Sequence, residues 1–416
     1  MSESTPDSST GGPSVTASAA APQHLSTGQL YLLAMASAVI TANAYYIHPI
    51  IALVAEDFGV SAAAIGAVPA FNQIALALGI FLLLPLGDWV SNRRLTSIFV
   101  SAQTIAIAGM ALATDFRLFV AGSTVLGFFT IAPYLLPAYV SRRVPPEKLG
   151  HATAVLTTGI IGGILLARAG AGVLGEYMGW RSVYVAAAML MLLMSILLPL
   201  IMEQGRRDSA RSETYAGLIL SILPIIRRHP DILLSGAIQA MSFGIFLAVW
   251  LGLGLHLTSP QMGYGTDVVG YLAAFSILNL ATTPRLGAWA DKVGAERARV
   301  WFTVGQLAGV ACLPFFGHSL WLLMIPIVLM NLVGPSIDIT GRMTFLRLSP
   351  DIRTRLMTIY IVIMFGGGGI FSWAGTIAYD WAGWIGNAVL ALTLSILVLT
   401  LSLLGLRLQD RHSARL

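Results

Sequence analysis

Long apolar stretches separated by short polar breaks follow one another along nearly the whole chain. They fall near 28–56, 62–86, 94–113, 118–140, 151–175, 181–202, 231–257, 268–290, 298–317, 320–342, 354–379 and 384–406. A helix crosses a hydrocarbon layer about 30 Å thick with roughly 20 mostly apolar residues. The pattern therefore predicts an all-α integral membrane protein of twelve transmembrane helices. It also repeats. GEYMGW at 175–180 answers YDWAGW at 379–384, and SRRVPPEKLG at 141–150 answers LRLSPDIRTR at 346–355, both at a spacing of 204. PLGDWVSNRRL at 85–95 likewise answers GAWADKVGAER at 287–297. Two six-helix halves, 28–202 and 231–406, are expected, and parallel repeats of this kind are one known scheme among secondary transporters. Between them, 203–230 reads as a cytoplasmic linker whose LILSILPIIRRH lies along the membrane surface as an amphipathic helix. Residues 1–27 are rich in Ser, Thr, Ala, Pro and Gly and read as a disordered cytoplasmic tail, and 407–416 as a second tail.

Composition agrees with this and removes other classes. Mean hydropathy is +0.79 and only 10% of residues are charged, against about 25% in soluble domains. The formal charge of +5 is no nucleic-acid footprint, because 20 of the 24 Lys and Arg sit in alternate connections. Opposite them lie Glu56, Asp57, Asp115, Glu176, Asp267 and Asp380. That asymmetry is the positive-inside pattern and puts both termini in the cytoplasm. Cys312 stands alone in an apolar helix, so neither a disulfide framework nor a cysteine metal set is expected. No His, Asp or Glu pair has ligand spacing, which argues against an enzyme, and no cofactor is expected.

The charged break repeated between helices 2 and 3 and between helices 8 and 9 resembles the signature loop of the major facilitator superfamily. Gly287, Ala290, Asp291, Gly294 and Arg297 fit it well. The first copy keeps Asp88 and Arg93 but has Leu84, Ser91 and Asn92 at positions where the family usually differs. YYIHPIIALVAEDFGVS, GILLAR and RLMTIY…FGGGG resemble a bacterial efflux-type permease branch. The resemblance implies the major facilitator fold and alternating access. It makes Asp88, Arg93, Asp291 and Arg297 gate residues that latch the halves at the cytoplasmic face; a solvated positive-inside turn is the other reading. The antiporter Gly-Pro motif of helix 5 is absent, with Arg168 roughly where its proline would be, and Ser123 stands near the place of a helix-4 arginine.

A charge at the bilayer centre costs at least ~2.5–3.5 kcal/mol, so each charge within a span needs a role. Arg168, among Gly163, Gly170 and Gly172, can bind a carboxylate by paired hydrogen bonds or bridge the fold. His48, near Arg168 in depth, can carry a proton or serve as a neutral bonded histidine beside Pro49, where the helix bends. Asp338 and Arg342 are four apart in the favourable order for an ion pair. With Arg285 they read as an inner gate, and Asp338 also as a proton carrier. Asn43, Tyr46, Tyr134, Gln239 and Asn331 complete the candidate substrate-binding set, although such groups serve equally as packing glue between helices. The expectation is a monomeric bacterial inner-membrane transporter exporting an anionic or zwitterionic metabolite or siderophore in exchange for protons. A multidrug or sugar efflux pump is the first alternative, and a transporter-like receptor the alternative of another class.

Overall fold

A computed structural model describes residues 25–203, 215, 217, 222–346 and 350–413. The expected disordered tail, except for its last residues, and much of the 203–230 linker lie outside these. Among the described residues every regular element is helical: α1 Thr27–Ala42, α2 Ile47–Phe58, α3 Ala62–Ile65, α4 Ala67–Leu83, α5 Asn92–Ala111, α6 Phe116–Phe128, α7 Ala132–Ser141, α8 Leu149–Met178, α9 Trp180–Ile201, α10 Ile222–Arg228, α11 Asp231–Leu257, α12 Thr266–Ala273, α13 Leu278–Val293, α14 Ala295–Phe316, α15 Leu320–Leu346 and α16 Pro350–Ser413. Ten stretches among the described residues are long and apolar enough to cross a membrane. The last, Arg355–Asp410, folds back where Ala382 and Gly383 leave helical geometry (Gly383 φ 57°), and so supplies two passes. The series from Thr266 to Val293 has the length of one more. It is less apolar because Arg285, Asp291 and Lys292 lie within it.

Prolines break two of the expected spans. Pro49 has no N–H to give the Tyr45 carbonyl, which His48 N takes at 3.3 Å, and the first span turns at 43–46 between α1 and α2. The bend thus precedes Pro49 and lies at the Asn43–Tyr46 segment. Pro133 likewise leaves the Phe129 carbonyl without its helical donor, and Gln103 Nε2 of α5 supplies one at 2.7 Å. Within the expected amphipathic stretch, 218–221 lie outside the described residues; in α10, Ile225 and Ile226 pack against Phe345, Leu356 and Ile359 while Arg227 and Arg228 stay exposed. Arg299, near the start of the span expected at 298–317, lies inside α14, buried, with Nη1 donating to Ser235 at 3.0 Å.

Two main apolar cores form. One gathers the spans of α1–α9, centred on Ile40, Ile50, Phe119 and Tyr184; the other gathers those of α11–α16, centred on Ile245, Leu313 and Ala391. Buried polar side chains staple helices within each half. Asn72 Nδ2 donates to the Ser123 carbonyl at 2.8 Å and Ser123 Oγ to Val68 at 3.1 Å. In the second half, buried Asn387 donates from Nδ2 to Ala248 and Gly375, both at 3.0 Å. Helix-to-helix hydrogen bonds in membranes average about 0.6 kcal/mol and reach about 1.7. Asn387→Leu, which removes two, is expected to lower unfolding free energy in detergent by about 1–3 kcal/mol, read as an earlier thermal melt.

The halves meet along two seams. Where the acids gather, here the acidic end, α12 and the turn Ala274–Ile277 pack on α8, and α3 and α4 pack on α16. Toward the other, basic end, α13 turns away to pack on α14 and α15. There α8 exposes Thr153, Thr157 and Thr158 and α13 exposes Arg285. On the α4–α16 side the halves stay packed toward the basic end, where Ile80 and Leu135 share one apolar cluster with Leu356 and Ile359.

Candidate functional site

Arg168 is only 2% exposed, on a buried face of α8. The short residues around it decide this placement. Gly163 packs on the Ala38 backbone of α1, and Gly172 on Thr266 and Gly270 of α12, so α8 is held against both halves on either side of the arginine. Three rings surround the guanidinium: Trp250 at 4.6 Å, Phe246 at 4.7 Å and Tyr45 at 5.2 Å from ring centroid to Cζ. Phe246 and Trp250 come from α11 and Tyr45 from the α1–α2 turn, so both halves build the cage.

Cation–π contacts are worth about 0.5–2 kcal/mol each. Three of them offset much of the several kcal/mol that burying a cation costs. Nε and Nη2 have no hydrogen-bond partner, and among the described residues no acid pairs with Arg168.

Next to it, His48 is fully buried with both ring nitrogens unpartnered, its ring 5.3 Å from Tyr45 in edge contact. Asn43, in the same turn, leaves both Oδ1 and Nδ2 unpartnered. Buried polar groups are almost always satisfied. Arg168, His48 and Asn43 thus each keep buried donors or acceptors without a partner, and Tyr45 touches both the guanidinium and the imidazole. The turn that Pro49 imposes is what brings Tyr45 and His48 to the arginine.

Other expected residues distribute around this centre. Tyr46 is buried within the first core. Gln239 Nε2 donates to the Met364 sulfur at 3.6 Å and its Oε1 is unpartnered. Asn331 is satisfied, Nδ2 donating to Ile327 at 2.9 Å and Oδ1 accepting from Ser276 at 3.2 Å. It lines a small crevice with Phe246, Trp250 and Met330. Tyr134 starts a chain of ring contacts that runs through Phe365 (6.2 Å), Phe243 (5.6 Å), Phe246 (6.1 Å) and Trp250 (6.4 Å) to the cage. Sequence reasoning missed Tyr45, Phe243, Phe246 and Phe365. The spacing of Phe243, Phe246 and Trp250 on one face of a helix was the available signal.

Asp338 and Arg342 of α15 form an ion pair at 2.9 Å, half-buried, with Nε also donating to both carboxylate oxygens. Tyr360 of α16, not singled out from sequence, donates to Asp338 Oδ1 at 3.0 Å. Arg285, Asp291 and Arg297 are exposed, and none meets a described residue in an ion pair. Arg93 is half-buried at the start of α5; the Asp88 side chain lies outside the described set. A separate cavity of about 790 Å³ opens on the acidic end between His256, Gln261, His318, Tyr379 and Trp384. It is lined by the second half alone, with His256 already bonded to the Gly317 carbonyl at 2.7 Å.

Two helical halves with separate apolar cores, packed on each other through α8 with α12 and α4 with α16, form a multi-pass membrane protein. A sequence profile of the Major Facilitator Superfamily matches residues 33–334, and the chain belongs to that family. It is similar to the putative uncharacterized transporter YgaY of Escherichia coli K12, 27% identical over 94% of this chain and 98% of that one. A shorter match, 27% identical over 38% of this chain and 40% of the other, is to the multidrug resistance protein MdtG of Escherichia fergusonii. In fold it resembles a bacterial homologue of the human lysosomal transporter Spinster, inward-facing and unoccupied. The TM-score is 0.73, at 14% identity, over 92% of this chain and 97% of that one.

Proposed function

We propose that this protein exports a small organic anion or zwitterion across a bacterial inner membrane in exchange for protons, by rocking of the bodies 28–202 and 231–406 about the Arg168 cage. The observation that carries the reading is the buried guanidinium with no acid partner among the described residues and two unpartnered nitrogens, Nε and Nη2. A carboxylate completes it with paired charge-assisted bonds, and a flat apolar portion of the solute lies against Phe246 and Trp250. A lipophilic cation would meet Arg168 as a like charge. Export rather than uptake is supported by the similarity to MdtG, whose name records drug resistance. The positive-inside pattern supports a cytoplasmic basic end and cytoplasmic termini. Each chain contains a complete site, in keeping with a monomer. The second reading, a multidrug pump for neutral compounds, is favoured by the ring series from Tyr134 to Trp250.

For coupling, His48 within the site is the first proton carrier to test, since Asp338 is engaged by Arg342 and Tyr360. Purified protein in vesicles loaded with a pH-sensitive dye is expected to move protons when an aromatic or aliphatic carboxylate is supplied. His48→Gln is expected to cut that flux to a tenth or less, in line with the 10²–10⁴-fold typical of proton-transfer groups, while Asp338→Asn retains part of it. Substrate movement with no proton movement in wild type would reject antiport, and flux with cations alone would reject the anion reading.

A further inference from the structure

The closed acidic end is fastened twice in the same way. Glu176, at the end of α8 in the first half, accepts through Oε2 from the Thr266 backbone N–H at 2.7 Å and from Thr266 Oγ1 at 3.1 Å. Thr266 opens α12 in the second half. Asp380, at the end of the first limb of α16 in the second half, accepts through Oδ1 from the Ala62 backbone N–H at 3.1 Å. Ala62 opens the span Ala62–Gly87 of the first half.

Glu176 and Asp380 are 204 residues apart, and so are Ala62 and Thr266. This is the spacing of the internal repeat, so the two bonds are the same bond in each copy, pointing in opposite directions across the interface. One turn into each capped span stands a glycine, Gly66 and Gly270, again 204 apart. A Cβ at Gly66 would strike the Thr376 side chain, and one at Gly270 would lie 3.0 Å from the Arg168 and Ala169 carbonyls. The backbones of the two halves approach this closely only because both positions lack a side chain.

We infer that Glu176 and Asp380 are paired clasps that hold the acidic end shut, each a carboxylate of one half capping the first N–H of a span in the other. An anion at a helix start is stabilised by the exposed N–H groups and by the dipole, and charge-assisted bonds are about twice as strong as neutral ones. Both clasps must let go when the solute leaves through this end, and both must reform when the transporter resets. Removing the charge therefore shifts the protein toward the arrangement open at the acidic end, without touching the Arg168 cage.

Spin labels at Met178→Cys and Gln261→Cys, both exposed and on opposite sides of the α8–α12 seam, read this directly in lipid nanodiscs, in a Cys312→Ala background. Wild-type clasps give one short distance. Glu176→Gln with Asp380→Asn is expected to raise the long-distance fraction about tenfold or more relative to the short one. The swap Glu176→Asp with Asp380→Glu keeps the charges and is expected to retain mostly the short distance. An unchanged distribution in the neutral double variant overturns the inference, as does a swap variant that opens as far as the neutral one. If the double variant is not monodisperse, each single neutral variant is read instead, and unchanged distances in both overturn it. The measurement uses no substrate, so it stands or fails separately from the anion reading.

Discussion

Arg168→Gln is expected to abolish both binding and transport of organic anions while leaving the protein folded. Hydrogen bonds to charged groups contribute about 1.5–3 kcal/mol each. Losing a paired set weakens binding on the order of 100-fold or more, since about 1.4 kcal/mol is a factor of ten. Glutamine keeps a polar donor beside Tyr45, Phe246 and Trp250 but not the charge that meets a carboxylate. Arg168→Lys keeps the charge and loses the planar fork, and it is expected to recover only a small part. A thermal-shift panel of carboxylates, lipophilic cations and neutral sugars checks this, because a ligand that binds the native state raises stability with occupancy. Carboxylates should stabilise wild type and neither variant. If they stabilise all three alike, the arginine is a structural tie and the ring-lined path to neutral drugs becomes the better account.

Gly270→Leu is expected to stop the transport cycle by acting on the closed seam, through the stretch of α8 backbone that carries Arg168. The added side chain must displace the Arg168 and Ala169 backbone of α8. Overpacking of this kind costs roughly 1–3 kcal/mol, and here the cost falls only on the arrangement in which the seam is closed. The closed-to-open ratio should fall about 5- to 150-fold, which corresponds to that range. Turnover in vesicles should drop with it. A cysteine-reactive probe supplied on the acidic side should gain access to His48→Cys. Gly109→Leu, at a position with nothing within 4 Å of its Cβ, serves as the control and should transport normally. Normal turnover in Gly270→Leu would show that the seam need not close so tightly.

Much of this arrangement could be read from the chain before any coordinates. Span α11 begins and ends where hydropathy puts it, at 231–257, because an apolar run of bilayer length has no other stable state in lipid. The charged loops and the repeat were equally visible, as was Arg168 as a charge within a span, though not whether it had a partner. Less visible was where a span stops being helical. Pro49 and Pro133 each act on a carbonyl four residues earlier, so the bends appear upstream of the residue that causes them. Of the aromatic cage, only the shared helix face of Phe246 and Trp250 was legible. Tyr45, Phe246 and Trp250 are brought together from positions about 200 residues apart, and local periodicity carries no record of which faces meet across two halves. The inward turn of Arg299 to Ser235 was not legible either, because a cation near a span end looks the same when it snorkels to water. The acids at 176 and 380 were in plain sight within GEYMGW and YDWAGW. Their meaning depended on knowing that the ends of α8 and α16 face the starts of α12 and α3.

The cage around Arg168 also bears on how the protein is made. A nascent membrane protein enters the bilayer from its N-terminus, so α8 arrives before α11 has been synthesised. At that moment the guanidinium has Tyr45 beside it and lacks Phe246 and Trp250, the two nearer rings. The first half thus carries an uncovered charge in the membrane until the second half is delivered. Shielding of this arginine is therefore completed only when both halves are in the membrane.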